Sequence, residues 1–360
     1  MAKAKSNPLA SLDLSGIRDN VPQSTDDKGG IAAARASAAA PAADFGLLKS
    51  LINTTWVGTG FNLIEIPNMN QAKPGPPPAD KFKLILNNTS ETITFSEIGG
   101  DIINRGNAQG DIAFKGLHYL QQVADVNSNE GIHLETGLFL NLPGGSDPHV
   151  QPTIARLGSI PHGDSILCQG RIFKVEGGPE FSLVPDPPPA PPPPPSDTPP
   201  ADPTPFTLDK DGKRVNDTSP QYLSLLHNAE PPAGISKDII MNPNKLLVDA
   251  IQGQKIIETI VILLDANPIN GVGNVDAPVG GITNIPFVNV NANAASITAI
   301  FWIETVQNDD GSTFLQLQYT QTVILDFPVF GADPSKVVPI NWPHISVATL
   351  RLQKTSTSSS

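Results

Sequence analysis

The amino-acid sequence predicts an all-β protein, a closed antiparallel β-barrel of about ten to twelve strands with short helices and a proline-rich insertion. Composition is the first reason, because only 16% of the residues are charged while 37 are Pro and 30 are Gly. Short strands joined by Gly, Pro and Asn turns have that balance, whereas a helical bundle carries more Leu, Glu and Lys. Periodicity is the second reason, because apolar residues recur every second position from Thr55 onward.

A short amphipathic helix is predicted at the start of the barrel, over residues 44–52. Asp44 is expected to cap its first turn by accepting from unpaired backbone N–H groups. The apolar residues of this helix share one face, which is expected to close one mouth of the barrel: Leu47, Leu48, Leu51 and Ile52. Residues 1–43 before it are expected to form a poorly ordered arm.

Alternating patterns and turn residues predict the strands in order. Asn87 and Asn88 are interpreted as a turn that separates the second strand from the third. The first group of predicted strands covers residues 56–66, 82–86, 92–98, 116–125, 132–140, 153–159 and 165–175. A helix over residues 245–252, ended by Gly253, precedes the second group, which covers residues 255–264, 282–290, 295–306, 313–325 and 345–352.

The stretch 185–205 is mostly proline and cannot pair in a sheet. It is interpreted as an extended, polyproline-like insertion within one barrel domain that spans residues 44–354. A linker between two domains is the alternative interpretation. The tail, residues 355–360, is expected to be disordered.

Charge and cysteine content exclude several classes of function. The formal net charge of -12 argues against nucleic acid, since a phosphate-binding surface needs clustered Lys and Arg. No apolar run approaches the roughly 18 residues of a membrane span, and the basic first ten residues lack the apolar core of a secretory signal. Cys168 is the only cysteine, so no disulfide forms within the chain, as suits a reducing cytoplasm. We therefore expect a cytoplasmic protein.

Four segments together resemble the nitrobindin-like haem-binding barrels, which are relatives of the lipocalins and fatty-acid-binding proteins in the calycin group. TWVGTG at residues 55–60 is similar to the opening strand of that family, and ETITF at residues 91–95 to the strand that follows. HLETG at residues 133–137 is similar to its His-x-Glu-Thr-Gly strand, and HISVATLR at residues 344–351 to its closing strand. The segments occur in the order found in the family.

The resemblance implies a lipocalin-like barrel that binds ferric haem, with His344 as the proximal ligand of the iron. It also implies nitric oxide binding or peroxynitrite isomerisation. Haem and metal ligation by His344 are therefore expectations that come from the family. This chain departs from the family in two ways. It is about twice the usual length of the family, and residues 176–254 have no counterpart in the family.

The residues around His344 leave two interpretations open. A neutral imidazole on a strand that faces an apolar cavity ligates haem iron through one ring nitrogen. Ser346 and Ala348, two and four positions on, are small and would leave space for the macrocycle. Alternatively, residues 342–344 form a turn in which the histidine satisfies a backbone carbonyl.

Three further residues are candidates for the cofactor-binding site. His133 and Glu135 fall on one face of an alternating strand, where they form either a hydrogen-bonded relay or a structural network. His118 is placed either in the cavity or on the solvent face. Trp56 is a candidate haem contact, although a place in the core is the favoured interpretation.

Other chemistries lack the required pattern. Residues 161–165 contain the residue types of a hydrolase triad, but adjacent positions in one turn cannot give its geometry. Asp309, Asp310 and Gly311 are interpreted as a hairpin turn rather than a calcium loop. The alternative to a haem protein is a non-catalytic carrier of a fatty acid, a terpenoid or another apolar molecule, because the fold alone does not separate the two. The sequence gives no indication of the oligomeric state.

Overall fold

The computed structural model describes residues 43–68, 82–106, 110–146, 149–150, 152–181, 225–226, 228–266, 280–286, 291–330 and 337–353, of which 145–150, 328–330 and 337–341 are described by their backbone alone. The predicted arm up to residue 42, the proline-rich stretch 185–205 and the tail 355–360 lie outside the described residues. Within the described part of the chain, none of the helices has the length and apolar character that crossing a bilayer requires.

The described strands pair antiparallel throughout. Before the proline-rich stretch they are β1 (Thr54–Pro67), β2 (Phe82–Glu97), β3 (Ile102–Asn104), β4 (Ile112–Asp125), β5 (Gly131–Leu142), β6 (Gly145–Ser146), β7 (His149–Val150), β8 (Thr153–Ile160) and β9 (Asp164–Glu176). After it they are β10 (Lys255–Asp265), β11 (Gly281–Asn284), β12 (Asn293–Gln307), β13 (Thr313–Phe330) and β14 (Val337–Leu352).

Among the described residues, ten strands form the closed barrel. Their order around it is β10, β12, β13, β14, β1, β2, β4, β5, β8 and β9, and β9 pairs with β10 to close the ring. The predicted closed lipocalin-like barrel is therefore confirmed. Strands on both sides of the proline-rich stretch belong to this one sheet, since β14 pairs with β1 and β10 with β9. β3 adds to β4 and β11 to β9 outside the ring, while β6 and β7 form a separate ribbon.

Two predicted local features are wrong in type. β2 runs without interruption from Phe82 to Glu97, and the predicted turn at Asn87 and Asn88 is paired in register with Asn62 and Phe61. Cross-strand pairing thus overrides the turn preference of Asn. His344 is also not in a turn, because β14 begins before it and pairs His344 with Ile64 and Val323.

The predicted first helix is a 3-10 helix, η1 (Gly46–Leu51). It has only six residues, and Leu48 N donates to Phe45 O at 2.9 Å, the three-residue spacing of that helix type. Asp44 accepts at its start as expected, from Gly46 N at 2.7 Å. Leu48 and Leu51 of η1 are buried in the core of the barrel, so η1 covers one barrel mouth.

Among the described residues, the short helices α1 (Lys237–Met241) and α2 (Asn244–Ala250) lie outside the barrel. They share a buried cluster with residues that point outward from the strands: Val261, Leu263, Ile300, Trp302, Ile345 and Val347. α2 also lies on polar side chains of β13, because Gln318 Nε2 donates to Leu247 O at 3.1 Å. Thr320 Oγ1 donates to Asn244 Oδ1 at 2.6 Å. The segment after the proline-rich stretch therefore covers part of the outer barrel wall.

The interior beneath η1 is filled. Its side chains form one buried cluster that includes Trp56, Ile93, Phe95, Leu117, Phe139, Phe301, Leu317 and Leu350. The ring of Phe139 makes edge contacts with Phe95, Tyr119 and Phe301, with centroids 5.1 to 5.8 Å apart. Burial of this aromatic and aliphatic surface is the main favourable contribution to folding of this end.

Candidate ligand-binding site

The opposite end of the barrel interior holds a cavity of about 490 Å³. This volume lies within the range of roughly 300–1,000 Å³ found for small-molecule sites. Much of its wall is aliphatic, formed by Ile64, Ile85, Val123, Ile132, Ile160, Ile166, Ile282, Ile297, Val323 and Leu325. The cavity therefore offers an apolar environment in which a few polar groups stand out.

His344 is the ionisable group on the β14 wall of this cavity, next to Ser346. Its Nε2 lies 2.5 Å from Asn62 Oδ1, and Ser346 Oγ donates to the same amide oxygen at 3.1 Å. Because β14 and β1 are paired, with Asn62 opposite Ser346 and Ile64 opposite His344, these side chains all point inward. The imidazole is thus fixed on one side and faces the cavity.

Burial, together with the nearby His133 and His162, lowers the pKa of His344 to about 3. The imidazole is therefore neutral at physiological pH. A neutral imidazole retains one nitrogen lone pair, which is the requirement for a metal ligand or a hydrogen-bond acceptor.

The bond to His344 continues into a chain of amides. Asn62 Nδ2 donates to Asn87 Oδ1 at 3.4 Å, and Asn87 Nδ2 donates to Asp125 Oδ2 at 2.8 Å. The other oxygen of Asp125 accepts from the backbone N–H groups of Asn127 and Ser128, each at 2.8 Å. The chain of hydrogen bonds thus ends on the turn between β4 and β5.

A pair of histidines lies at the cavity, near the start of β5 and just after the end of β8. His133 and His162 both line the cavity, and their ring centroids are 5.8 Å apart. Burial and the neighbouring His133 lower the pKa of His162. His133 Nε2 lies 3.5 Å from Glu135 Oε2, and neither atom has a hydrogen bond within the described part of the chain. His133 and Glu135 are therefore in contact on the inner face, without the geometry of a hydrogen bond.

A buried ion pair lies between the cavity and the filled end. Arg156 Nη2 donates to Glu135 Oε1 at 2.7 Å, Arg156 Nη1 donates to Gln321 Oε1 at 2.8 Å, and the Tyr119 hydroxyl donates to Glu135 Oε1. Burial alone would raise the pKa of Glu135, but Arg156, His133 and Tyr119 together lower it to about 2. Gly158 makes room for this group, since a Cβ there would lie 2.6 Å from Glu135 Oε1.

A second buried carboxyl group extends this polar layer. Tyr319 OH donates to Glu91 Oε2 at 2.5 Å and Thr89 Oγ1 donates to Glu91 Oε1 at 2.7 Å. Burial raises the pKa of Glu91, although these hydrogen bonds oppose the effect. Gln121 Nε2 donates to Tyr319 OH at 3.0 Å. The floor of the cavity is therefore a hydrogen-bonded network and not an apolar surface.

The four residues predicted for the site are separated by the structure. His344 and His133 line one cavity, whereas Trp56 is fully buried in the filled end, where its Nε1 donates to Thr54 Oγ1 at 2.8 Å. His118 is exposed on the outer face, with Nε2 2.9 Å from Thr136 Oγ1.

Several residues of the site are absent from the sequence-based prediction. Asn62, Asn87 and Arg156 occupy inward positions on strands, and His162 lies in the turn between β8 and β9. The available signal was a polar residue at a position that alternation places inside the barrel. Cys168, predicted as buried filler, is fully buried in the core.

A second void is more open and shares part of this wall. It has a volume of about 640 Å³ and runs past outward residues such as Val57, Thr92, Gln122 and Leu134. Both voids are lined by Glu91, Val123, Ile132, His133 and His162. His133 and His162 therefore border two voids, whereas His344 lines the inner one.

The described residues contain no group of three or more His, Cys, Asp or Glu side chains that is arranged to hold a metal ion. A bare metal ion bound by protein side chains alone thus has no candidate site in this part of the chain. A metal carried within an organic ring needs only one protein ligand, and His344 remains available for that role.

Comparison with known proteins gives a distant likeness. No protein-family model and no curated protein matches this chain. Among solved structures, it is similar to the crystal structure of Rv2717c from M. tuberculosis, with 12% sequence identity and a TM-score of 0.36. The match covers 86% of this chain and 96% of the other. A likeness of this degree carries no argument about function.

Proposed function

We propose that this protein is a binding barrel that holds haem in the 490 Å³ cavity, with His344 as the ligand of the iron. The observation that carries the proposal is the state of His344. Its ring is neutral, one nitrogen is bound to Asn62 Oδ1, and none of the hydrogen bonds within the described residues uses the other nitrogen.

This arrangement fits the demands of a metal-binding histidine. Such histidines donate their second ring N–H to an oxygen acceptor, which fixes the orientation of the ring and makes the ligating nitrogen more basic. Asn62 Oδ1 supplies that acceptor to His344. The aliphatic wall suits a flat apolar macrocycle, and haem held there would supply an iron that binds small ligands such as nitric oxide.

The second candidate is a carrier of an apolar molecule that contains one polar group. The polar residues around His344 favour it, because Asn62, Asn87 and Ser346 all line the cavity beside the imidazole. A ligand with an apolar body could lie against the aliphatic wall and direct its polar end to these groups. Peroxynitrite isomerisation stays a prediction from the family resemblance.

Titration with hemin tests the proposal. The wild-type protein is expected to give a sharp Soret band near roughly 400 nm that differs from free hemin, as ligated iron porphyrin does. His344→Ala is expected to abolish that band. His118→Ala is the matched control, because His118 is exposed on the outer face, and this variant should keep the wild-type spectrum.

A wild-type spectrum indistinguishable from that of free hemin would overturn the haem assignment. Binding of a fluorescent long-chain alcohol by the same sample would then favour the carrier. An unchanged Soret band in His344→Ala would leave haem binding in place and remove His344 as the ligand. Circular dichroism of each variant establishes that the barrel is folded.

A further inference from the structure

We propose that Asp125, Asn87 and Asn62 form a relay that fixes His344 in the Nε2–H tautomer and presents Nδ1 to the cavity as a hydrogen-bond acceptor. The proposal deepens the proposed function, because it names the atom of His344 that would bind a ligand. Asn62 is then a positioning residue that acts through His344.

The direction of each hydrogen bond follows from Asp125. An ionised carboxylate only accepts hydrogen bonds, and those from Ser128, Asn87 and Asn127 lower the pKa of Asp125, which keeps it ionised. Asn87 must therefore direct its NH₂ group to Asp125 Oδ2, at 2.8 Å. This leaves Asn87 Oδ1 for the next residue in the chain.

The same argument orients Asn62 and then His344. Asn87 Oδ1 only accepts, so its neighbour at 3.4 Å is Asn62 Nδ2. Asn62 Oδ1 consequently faces His344 Nε2, 2.5 Å away, and this nitrogen must carry the proton. Ser346 Oγ lies 3.1 Å from the same oxygen and 3.4 Å from His344 Nε2, and its hydroxyl can donate to the oxygen in this orientation. The tautomer of the ring thus follows from a carboxylate three side chains away.

The relay crosses four neighbouring strands of the barrel. Asn62 on β1 is opposite Asn87 on β2 and opposite Ser346 on β14, while Asp125 on β4 is opposite Thr89 on β2. Thr89 is the next inward-facing residue after Asn87 on β2. Asp125 is therefore displaced from Asn87 by one inward-facing position along the strand direction. Strand register rather than sequence proximity brings these side chains together, which makes the arrangement as rigid as the sheet.

The fixed tautomer selects the chemistry of the ligand. Nδ1 offers a lone pair, so it binds a metal centre or a hydrogen-bond donor such as a hydroxyl group. An ionised carboxylate only accepts hydrogen bonds. Its oxygens would therefore face another acceptor, the lone pair of Nδ1, and no hydrogen bond could form. Asn62 Nδ2 and Asn87 Nδ2 each direct one N–H into the relay. His344 should thus favour haem iron or a neutral alcohol over an ionised fatty acid.

Nuclear magnetic resonance of ¹⁵N-labelled, ligand-free protein tests the relay. Correlations between the ring carbon-bound hydrogens and the two nitrogens of His344 report which nitrogen is protonated. We expect Nε2–H in the wild-type protein and a shift of about tenfold toward Nδ1–H in Asn62→Leu, the ratio expected for loss of one net hydrogen bond. Asn62→Asp retains an acceptor and should restore the wild-type tautomer.

Asn88→Leu is the matched control. Asn88 is the next residue to Asn87 on β2, but its Nδ2 donates to Ala233 O at 2.8 Å on the outer side. This variant should leave the His344 tautomer unchanged. An Nδ1–H tautomer in the wild-type protein, or a tautomer insensitive to Asn62→Leu, would overturn the relay.

The measurement uses no ligand, so its result is independent of the hemin titration. A protein that fails to bind hemin but contains His344 in the Nε2–H form would lose the proposed function and keep the relay. A protein that binds hemin through His344 with an unfixed tautomer would keep the proposed function and lose the relay.

Discussion

The two ends of the barrel interior are built by the same strands, yet their inward side chains differ. On β2, Phe95 and Ile93 fill the end beneath η1, whereas Asn87 and Ile85 line the cavity at the other end. Glu91 lies between them in the polar layer. The filled end has side chains that match its volume, while the open end has side chains that make hydrogen bonds around a space. The polar layer is thus the boundary between a packed core and a binding site.

The largest expected effect comes from breaking this boundary. Arg156→Met would leave the Glu135 carboxylate buried without its cation, which typically costs about 3–5 kcal/mol. Arg351→Met is the matched control, since Arg351 lies on the outer wall with its guanidinium 4.1 Å from the centre of the Phe314 ring. An exposed contact of that kind is worth about 0.5–1 kcal/mol. Urea denaturation measures both free energies of unfolding.

A double variant sharpens this result. Glu135→Gln combined with Arg156→Met removes both charges and should recover much of the loss, because the uncompensated charge is the main penalty. Equal losses in Arg156→Met and Arg351→Met would show that the polar layer does not stabilise the barrel.

An intermediate effect is expected from shortening an isoleucine side chain to alanine at each end of β2. Ile93 is 2% exposed in the filled end, and Ile93→Ala should lower the free energy of unfolding by about 2–5 kcal/mol. Ile85 is half-buried at the cavity, so Ile85→Ala enlarges an existing space and should cost only about 1 kcal/mol. Urea denaturation of the pair compares the two ends directly. Equal losses would mean that the open end is packed as tightly as the filled end.

The smallest expected effect near neutral pH is a pH dependence that belongs to the open end. The pKa of His344 is lowered from 6.5 to about 3 by burial and by the two neighbouring histidines. Between these values the unfolded chain binds a proton that the folded chain does not, so stability falls as pH falls from about 6.5 to about 3. The contribution of this group is at most about 1.4 kcal/mol per pH unit.

His344→Phe cannot titrate and should flatten the dependence of the free energy of unfolding on pH across this window. The slope is the readout, because the larger ring also alters absolute stability. His118→Phe, on the exposed outer face, is the control and should retain the wild-type slope. A slope unchanged in His344→Phe would mean that His344 is not buried in neutral form.

Alternation in the sequence was enough to predict the closed barrel and most of its strands, because most inward positions near η1 are apolar. It failed where inward residues are polar. Asn87 is a frequent turn residue, but it continues β2 because its amide bonds to Asn62 and Asp125 across the neighbouring strands. The register that creates those bonds is set by the whole sheet and is not visible in any short segment.

The candidate site was predicted in part for the same reason. His344 and His133 were identified through motifs, and both line the cavity. Arg156 gave no local signal, because an arginine within an alternating strand is usually exposed. Its burial depends on Glu135 and Gln321, which lie on two other strands. The sequence patterns are local, so they could not show that Arg156 has partners on strands far away in the sequence.

The segment between β9 and β10 is separable from the barrel, because these two strands pair with each other where the barrel closes. Glu176 at the end of β9 is opposite Glu258 near the start of β10, so the chain leaves and returns at adjacent positions. Closing a loop costs only about 0.6 kcal/mol more for each doubling of its length. A few-residue turn could therefore replace residues 177–254 without altering the path of any barrel strand. The shortened barrel would, however, expose the apolar outer surface around Trp302 and Ile345 that α1 and α2 now cover. The insertion thus resembles an added module. Its removal would expose an apolar patch on the barrel wall that favours association with other proteins.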